Sequence, residues 1–246
     1  MEYRELSQEE FDDIAGRILY EDNHILIFNK KVGEIVQGDK TGDEPLSETL
    51  KAFIALRDSK PGRVFMGVPH RLDRPVSGVA MFAKTSKALE RLNEAFRAGD
   101  VHKTYWALSA NRPEPESAEI CHFLVRNEKQ NKSYAYADKA SAEKAGGRGG
   151  ISEGAKEARL RYKVIEDTER YHLIEVELLT GRHHQIRCQL STIGCPIKGD
   201  LKYGAPRSNK DGGICLHARS INFVHPVRKE EINVIAPVDW SPIICK

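Results

Sequence analysis

Apolar positions recur along the chain with two periods, and the switches between them mark its elements. Residues 6–16 predict a short helix, with Ser7 as N-cap and Glu10 three residues on. Two apolar runs, 18–20 and 24–28, flank Glu21-Asp22-Asn23 and predict a hairpin. Leu46, Leu50, Phe53 and Ile54 fall at helical spacing, so 46–56 reads as a helix, stopped by the Ser-Lys-Pro-Gly run at 59–62. The continuous apolar run 79–83 predicts a strand. Residues 86–98 predict an amphipathic helix capped by Ser86, with Leu89, Leu92, Ala95 and Phe96 as its stripe.

Residues 101–108 alternate as a strand, with Lys103, Tyr105 and Ala107 on one face and Thr104, Trp106 and Leu108 on the other. Strand-like pieces follow at 121–125 and 133–137. Residues 138–157 are glycine-rich, charged and poor in apolar positions, which predicts a mobile loop. Paired strands are expected at 158–165 and 171–179. After them Thr180-Gly181-Arg182 opens a helix that runs to Gly194, with Ile186, Leu190 and Ile193 facing inward and His183 one turn before Arg187. A last strand spans 232–235. Short strands mixed with helices indicate an α+β fold.

The chain has 246 residues, 40% hydrophobic and 30% charged, with a net charge of +2. It is not a polycation, so nucleic-acid binding would need its positive charge gathered on one face. Five cysteines, with no Cys-x-x-Cys pair, argue against a disulfide framework and for a reducing cytoplasm. The acidic start lacks the pattern of a secretory signal, and no apolar run is long enough to span a membrane. Adjacent His183 and His184 diverge by about 100° on a helix, and no metal-ligand spacing occurs, so no metal is expected.

The chemistry centres on residues 68–84. Asp73 lies between Arg71 and Arg74, in a segment bracketed by Pro69, Pro75 and Gly78 that reads as an ordered loop before a strand. Flanking cations would keep such a carboxylate ionised, fit to act as nucleophile or base. The alternative is a surface salt-bridge cluster.

His70-Arg71-Leu72-Asp73, with Ser77-Gly78 and Ala83-Lys84, resembles the catalytic-loop motif of the RluA family of RNA pseudouridine synthases. Ile27-Phe28-Asn29-Lys30, Lys103-Thr104-Tyr105 and Thr180-Gly181-Arg182-His183-His184-Gln185-Ile186-Arg187 resemble its other motifs. The resemblance covers roughly residues 17–235. Val76 stands where the family usually has Thr, and Gln189 where it commonly has His.

The resemblance implies the pseudouridine synthase fold, with a largely antiparallel central sheet, flanking helices and a catalytic cleft. It divides the chain into an extension, 1–16, and one catalytic domain, 17–246. It implies isomerisation of uridine to pseudouridine in rRNA or a tRNA stem-loop, with no cofactor. Asp73 would be the catalytic nucleophile or base, Tyr105 would stack on the uracil, and Arg187 would pair with Asp73. Leu216 would line the pocket. Arg71 beside the nucleophile, with Lys84, Lys103 and Arg182, and also Lys198 and Lys202, are candidate RNA contacts. The segment before Arg17 is too short for an S4-type RNA-binding module. A monomer in the cytoplasm is expected. Two alternatives differ in kind: an RNA-binding or folding protein of this fold with catalysis secondary, and a glycosidase. The latter needs a second carboxylate, for which Asp200 is the nearest candidate.

Overall fold

The elements run in chain order as α1 (Gln8–Gly16), β1 (Ile18–Glu21), β2 (Ile25–Lys30), α2 (Leu46–Arg57), β3 (Ser77–Ala83), α3 (Ser86–Ala98), β4 (His102–Ser109), β5 (Ser117–Asn127), β6 (Lys132–Tyr136), α4 (Lys139–Gly146), β7 (Lys156–Asp167), β8 (His172–Leu178), α5 (Gln185–Thr192), a 3-10 turn (Leu201–Tyr203), β9 (Leu216–Val224) and β10 (Glu231–Ile235). They come from a computed structural model that describes residues 3–60, 62–146, 154–238 and 240. Two compact units result. Unit 1 holds Met1–Val101 and Ala218–Val238, and unit 2 holds His102–His217 and Asp239–Lys246.

Unit 1 starts with the capping box its sequence predicts. The Ser7 hydroxyl accepts the Glu10 N–H at 3.2 Å, and the Glu10 carboxylate accepts the Ser7 N–H at 2.9 Å. Phe11 of α1 packs on Phe53 of α2 with ring centroids 4.7 Å apart, and the Tyr3 hydroxyl accepts the Val64 N–H at 2.6 Å. Residues 3–16 thus pack against α2 and the segment at Val64. Its strands lie in the order β1-β2-β3-β9, and β10 also pairs with β9.

Residues 25–28 of β2 and 80–83 of β3 are fully buried, as a continuous apolar run requires when both faces of a strand are covered. Each such large side chain contributes about 1.5–3 kcal/mol on burial. Gly78 sits at φ +107°, and a Cβ there would fall 2.7 Å from Ala218 N and closer still to its carbonyl oxygen. Only glycine lets β9 approach β3 there. The cap of α3 is Thr85 and not Ser86. Thr85 is extended (φ −139°), and its hydroxyl accepts the Ala88 N–H at 3.1 Å.

In unit 2 the strand order is β4-β8-β7-β5-β6, with each neighbouring pair antiparallel. The segment expected as a mobile loop is partly helical. Lys139–Gly146 forms α4, started by Asp138, whose carboxylate accepts the Ser141 N–H at 2.8 Å and hydroxyl at 2.7 Å. Three alanines and Glu143 are good helix formers, and Ala142 is fully buried, which outweighs the charged composition. The rest of that expectation, 147–153, lies outside the described residues.

The helix expected from Gly181 onward begins only at Gln185. His184 is its N-cap in the left-handed region (φ 53°), so His183 lies outside the helix and is not one turn from Arg187 on it. Among the described residues no helix is long and apolar enough to cross a membrane.

Candidate active site

Asp73 sits half-buried at the start of a turn, with its carbonyl accepting the Val76 N–H at 3.0 Å. The neighbouring arginines do not hold it as the sequence suggests. Arg71 is exposed. Arg74 reaches away to Asp43 at 2.6 Å, to Thr41 at 2.8 Å and to Asp39 at 3.5 Å.

The cation beneath the loop is Lys30, at the end of β2 and only 1% exposed. Its ammonium donates to the carbonyls of Lys31 at 3.0 Å, Arg74 at 3.2 Å and Val76 at 2.6 Å. Burial pushes its pKa down to about 8, against the pull of Glu34 and then Asp73, which favour the charged form. Lys30 therefore clamps the turn that carries Asp73 and places positive charge near it. Val76, where the family usually has Thr, is buried and joins the clamp through its backbone.

Upstream, His70 Nε2 accepts the Met81 N–H at 3.0 Å, and its ring stacks on Phe96 at 5.0 Å. Lys84, expected on RNA, instead binds Glu21 at 2.6 Å and the Asp22 carbonyl at 2.6 Å, beside Arg57 on the same carboxylate. A lysine so committed at the end of β3 holds the β1–β2 hairpin.

Unit 2 holds the other candidates, two of them on β4. Tyr105 is buried (7% exposed) on β4, opposite Val176 of β8. Lys103 points from the same face, its ammonium 3.8 Å from where a Cβ on Gly181 would lie. Burial lowers its pKa from the usual lysine value. Leu216 is buried at the first position of β9.

The 180–185 loop is stitched by Gln185. Its Oε1 accepts the Thr180 hydroxyl at 2.8 Å and the Arg182 N–H at 2.9 Å, and its Nε2 donates to the Arg159 carbonyl at 3.0 Å. That fixes the entry into α5 and so aims Arg187. Arg187 is 5% exposed and forms a two-point pair with Asp200, Nε to Oδ2 at 2.6 Å and Nη2 to Oδ1 at 2.9 Å. Asp200 is 1% exposed. The carboxylate a glycosidase would need is thus a buried structural partner of Arg187.

His184 packs beside this pair. Tyr203 OH accepts the Ser133 N–H at 2.8 Å and shares a second hydrogen bond, 3.0 Å long, with His184 Nδ1, its direction set by the imidazole tautomer. Burial first, then Arg187 and His183, lower the His184 pKa to about 2. Lys202 donates to the Asn131 carbonyl at 2.9 Å and Lys198 to Asn209 at 2.6 Å, so both ammonium groups are held by the protein itself. Gln189 is fully buried, and its Nε2 donates to the Ala158 carbonyl at 3.1 Å, tying α5 to β7. Among the described residues no group of three or more His, Cys, Asp or Glu could hold a metal ion.

The model of the RNA pseudouridylate synthase family matches residues 24–192. The chain belongs to this family. It is an RNA pseudouridine synthase, an isomerase. It is 31% identical over 233 residues to ribosomal large subunit pseudouridine synthase C of Vibrio parahaemolyticus, covering 92% of this chain and 67% of that protein. With the Escherichia coli protein of the same description it shares 32% over 234 residues, again covering 92% and 67%. It thus spans about two thirds of the length of these relatives. The structure of human RNA pseudouridylate synthase domain containing 4 superposes with a TM-score of 0.74 at 24% identity, over 94% of this chain and 91% of that one. That likeness supports the α+β pseudouridine synthase fold.

Two participants were under-read in the sequence. Asp200 sits in the Gly199-Asp200-Leu201 turn, thirteen positions from Arg187, and nothing in local spacing joins them. Arg126 ends an apolar strand and looks like an ordinary solvated residue, yet its Nε is buried.

Proposed function

We propose that this synthase converts uridine to pseudouridine in large-subunit ribosomal RNA, in the cytoplasm, with Asp73 as the catalytic carboxylate. The N-glycosidic bond breaks, the uracil turns, C5 joins the ribose C1′, and the C5 proton leaves. Asp73 as a carboxylate attacks C1′ or C6, or removes the C2′ proton. Tyr105 stacks on the uracil. A guanidinium has two edges suited to carboxylates, and Asp200 holds the Nε–Nη2 edge of Arg187. The target uridine leaves its stack to reach the carboxylate, and Arg71, exposed two residues away, fills the vacated space or meets a phosphate.

The observation that carries this reading is the Lys30 clamp. A buried ammonium on two carbonyls of the Asp73 turn, those of Arg74 and Val76, is a costly device for a surface salt-bridge loop and a useful one for a preorganised nucleophile. Transcribed ribosomal RNA carrying tritium at uridine C5 tests it. Wild type should release tritium to water and Asp73→Asn should release none. Equal release by both proteins would remove Asp73 from the mechanism, and no release by either would remove this RNA as substrate.

A further inference from the structure

Unit 2 contains a cleft that joins Gly181, Arg182 and His183 of the 180–187 motif to Arg126 and Lys156, which no motif includes. It measures about 130 Å³, roughly four waters' worth at ~30 Å³ each, and is lined by Arg126, Lys156, Arg182 and His183 with Gly154 and Gly181. Among the described residues no acidic side chain lines it. Arg126 projects from β5 at the position paired with Ser133 of β6. Its Nε is buried and has no hydrogen-bond partner among the described residues. A buried guanidinium N–H without an acceptor is destabilising, and such a group calls for an ion or ligand to complete it.

The neighbours are built for the same purpose. Arg182 is oriented by one bond, from Nε to the Glu157 carbonyl at 2.9 Å, and its terminal nitrogens have no partner among the described residues. The His183 ring is held in place by Ser133 Oγ at 2.9 Å and Asn131 Oδ1 at 3.1 Å. The positive field extends beyond the cleft wall, since Arg126, Lys202, His183 and Arg187 all bear on the depressed pKa of His184 after its burial.

We propose that this cleft binds a backbone phosphate of the RNA, with Arg126 and Arg182 as donors. A phosphate oxygen would supply the acceptor that Arg126 Nε lacks, and the two glycines let a sugar–phosphate chain come close to the backbone. The site rests on the reading of RNA as substrate. It lies on the loop that Gln185 stitches to the start of α5, so the phosphate fixes the register of the RNA against the same segment that carries Arg187.

The test is the salt dependence of binding between about 50 and 200 mM KCl, using full-length protein and a large-subunit rRNA transcript. Wild type is compared with Arg126→Gln, Arg182→Gln and Arg126→Lys. Each loss of a phosphate contact should reduce the slope of log affinity against log salt by about one and weaken binding about tenfold at low salt. In turnover the loss should appear in KM more than in kcat, and Arg126→Lys should recover part of it. Arg182→Gln removes an exposed side chain, so it carries the test should Arg126→Gln fold poorly.

Unchanged slopes and KM in folded variants would overturn the proposal. So would unchanged slopes with millimolar inorganic phosphate raising the melting temperature of wild type only, since the cleft would then take a free anion. A wild type that binds RNA with the expected slope but makes no pseudouridine would refute the proposed function and leave the phosphate site standing.

Discussion

Asp200→Asn tests whether the buried ion pair of unit 2 is what holds Arg187. The wild-type carboxylate receives two charge-assisted hydrogen bonds, at 2.6 and 2.9 Å, with both partners at 5% exposure or less. An asparagine keeps one acceptor and turns an N–H toward a guanidinium that has only donors. Hydrogen bonds to charged groups contribute about 1.5–3 kcal/mol each, so two amount to roughly 3–6 kcal/mol. Removing one member of a buried pair costs about 3–5 kcal/mol by direct comparison. For a chain of 246 residues, at about 2–4 °C per kcal/mol, the melting temperature should fall by roughly 6–20 °C. Circular dichroism melts measure it. Replacing both partners, Arg187→Met with Asp200→Leu, should recover much of the loss, because neither member of the pair is then left facing an apolar side chain. A single variant that melts within about 2 °C of wild type would refute the reasoning, since the guanidinium would then be hydrated and not buried in a pair.

Other outcomes follow from the same geometry. Lys30→Met deprives three carbonyls of their donor, so the Asp73 turn should loosen and kcat should fall about tenfold or more while RNA affinity holds, as turnover and filter-binding assays would report. Gly78→Ala forces a Cβ into the backbone of Ala218 at a positive φ and should destabilise unit 1 by several kcal/mol, at about 1–3 for the strain alone, read from urea melts. His184 has a folded pKa near 2 against 6.5, so below pH 6.5 the unfolded chain takes up a proton that the folded one refuses. Its stabilising contribution is complete above pH 6.5 and drains away below it, reaching a loss of about 2 kcal/mol at pH 5. Urea melts at pH 7 and 5 should show that loss in wild type and not in His184→Asn.

Most elements were legible because burial on both faces or one stripe leaves a periodic trace, as in Ile25–Phe28 and in α2 and α3. The Ser7–Glu10 box was legible because all its parts lie within four residues. The readings that moved depended on partners far away in sequence. Thr85 displaced Ser86 as cap because β3 delivers it in extended conformation. His184 shortened α5 because its ring must reach Tyr203, nineteen positions on. The Asp73 motif was recognisable as a string, but its electrostatics were not. Arg74 is drawn off by Asp43, and Lys30 arrives from a strand more than forty residues earlier.

The close approach of β9 to β3 at Gly78 also constrains how the chain is made. Unit 1 takes its first part, Met1–Val101, from ahead of unit 2 in the chain and is closed only by Ala218–Val238. Between them the 116 residues of His102–His217 must be synthesised, which at about 5–20 residues per second takes roughly 6–23 seconds. During that interval one edge of β3 has no strand to pair with, although its side chains are among the most apolar in the protein. The nascent chain is therefore most vulnerable to misassociation in the middle of its own synthesis. Chaperone demand should track the length of that intervening segment more closely than the stability of the finished enzyme.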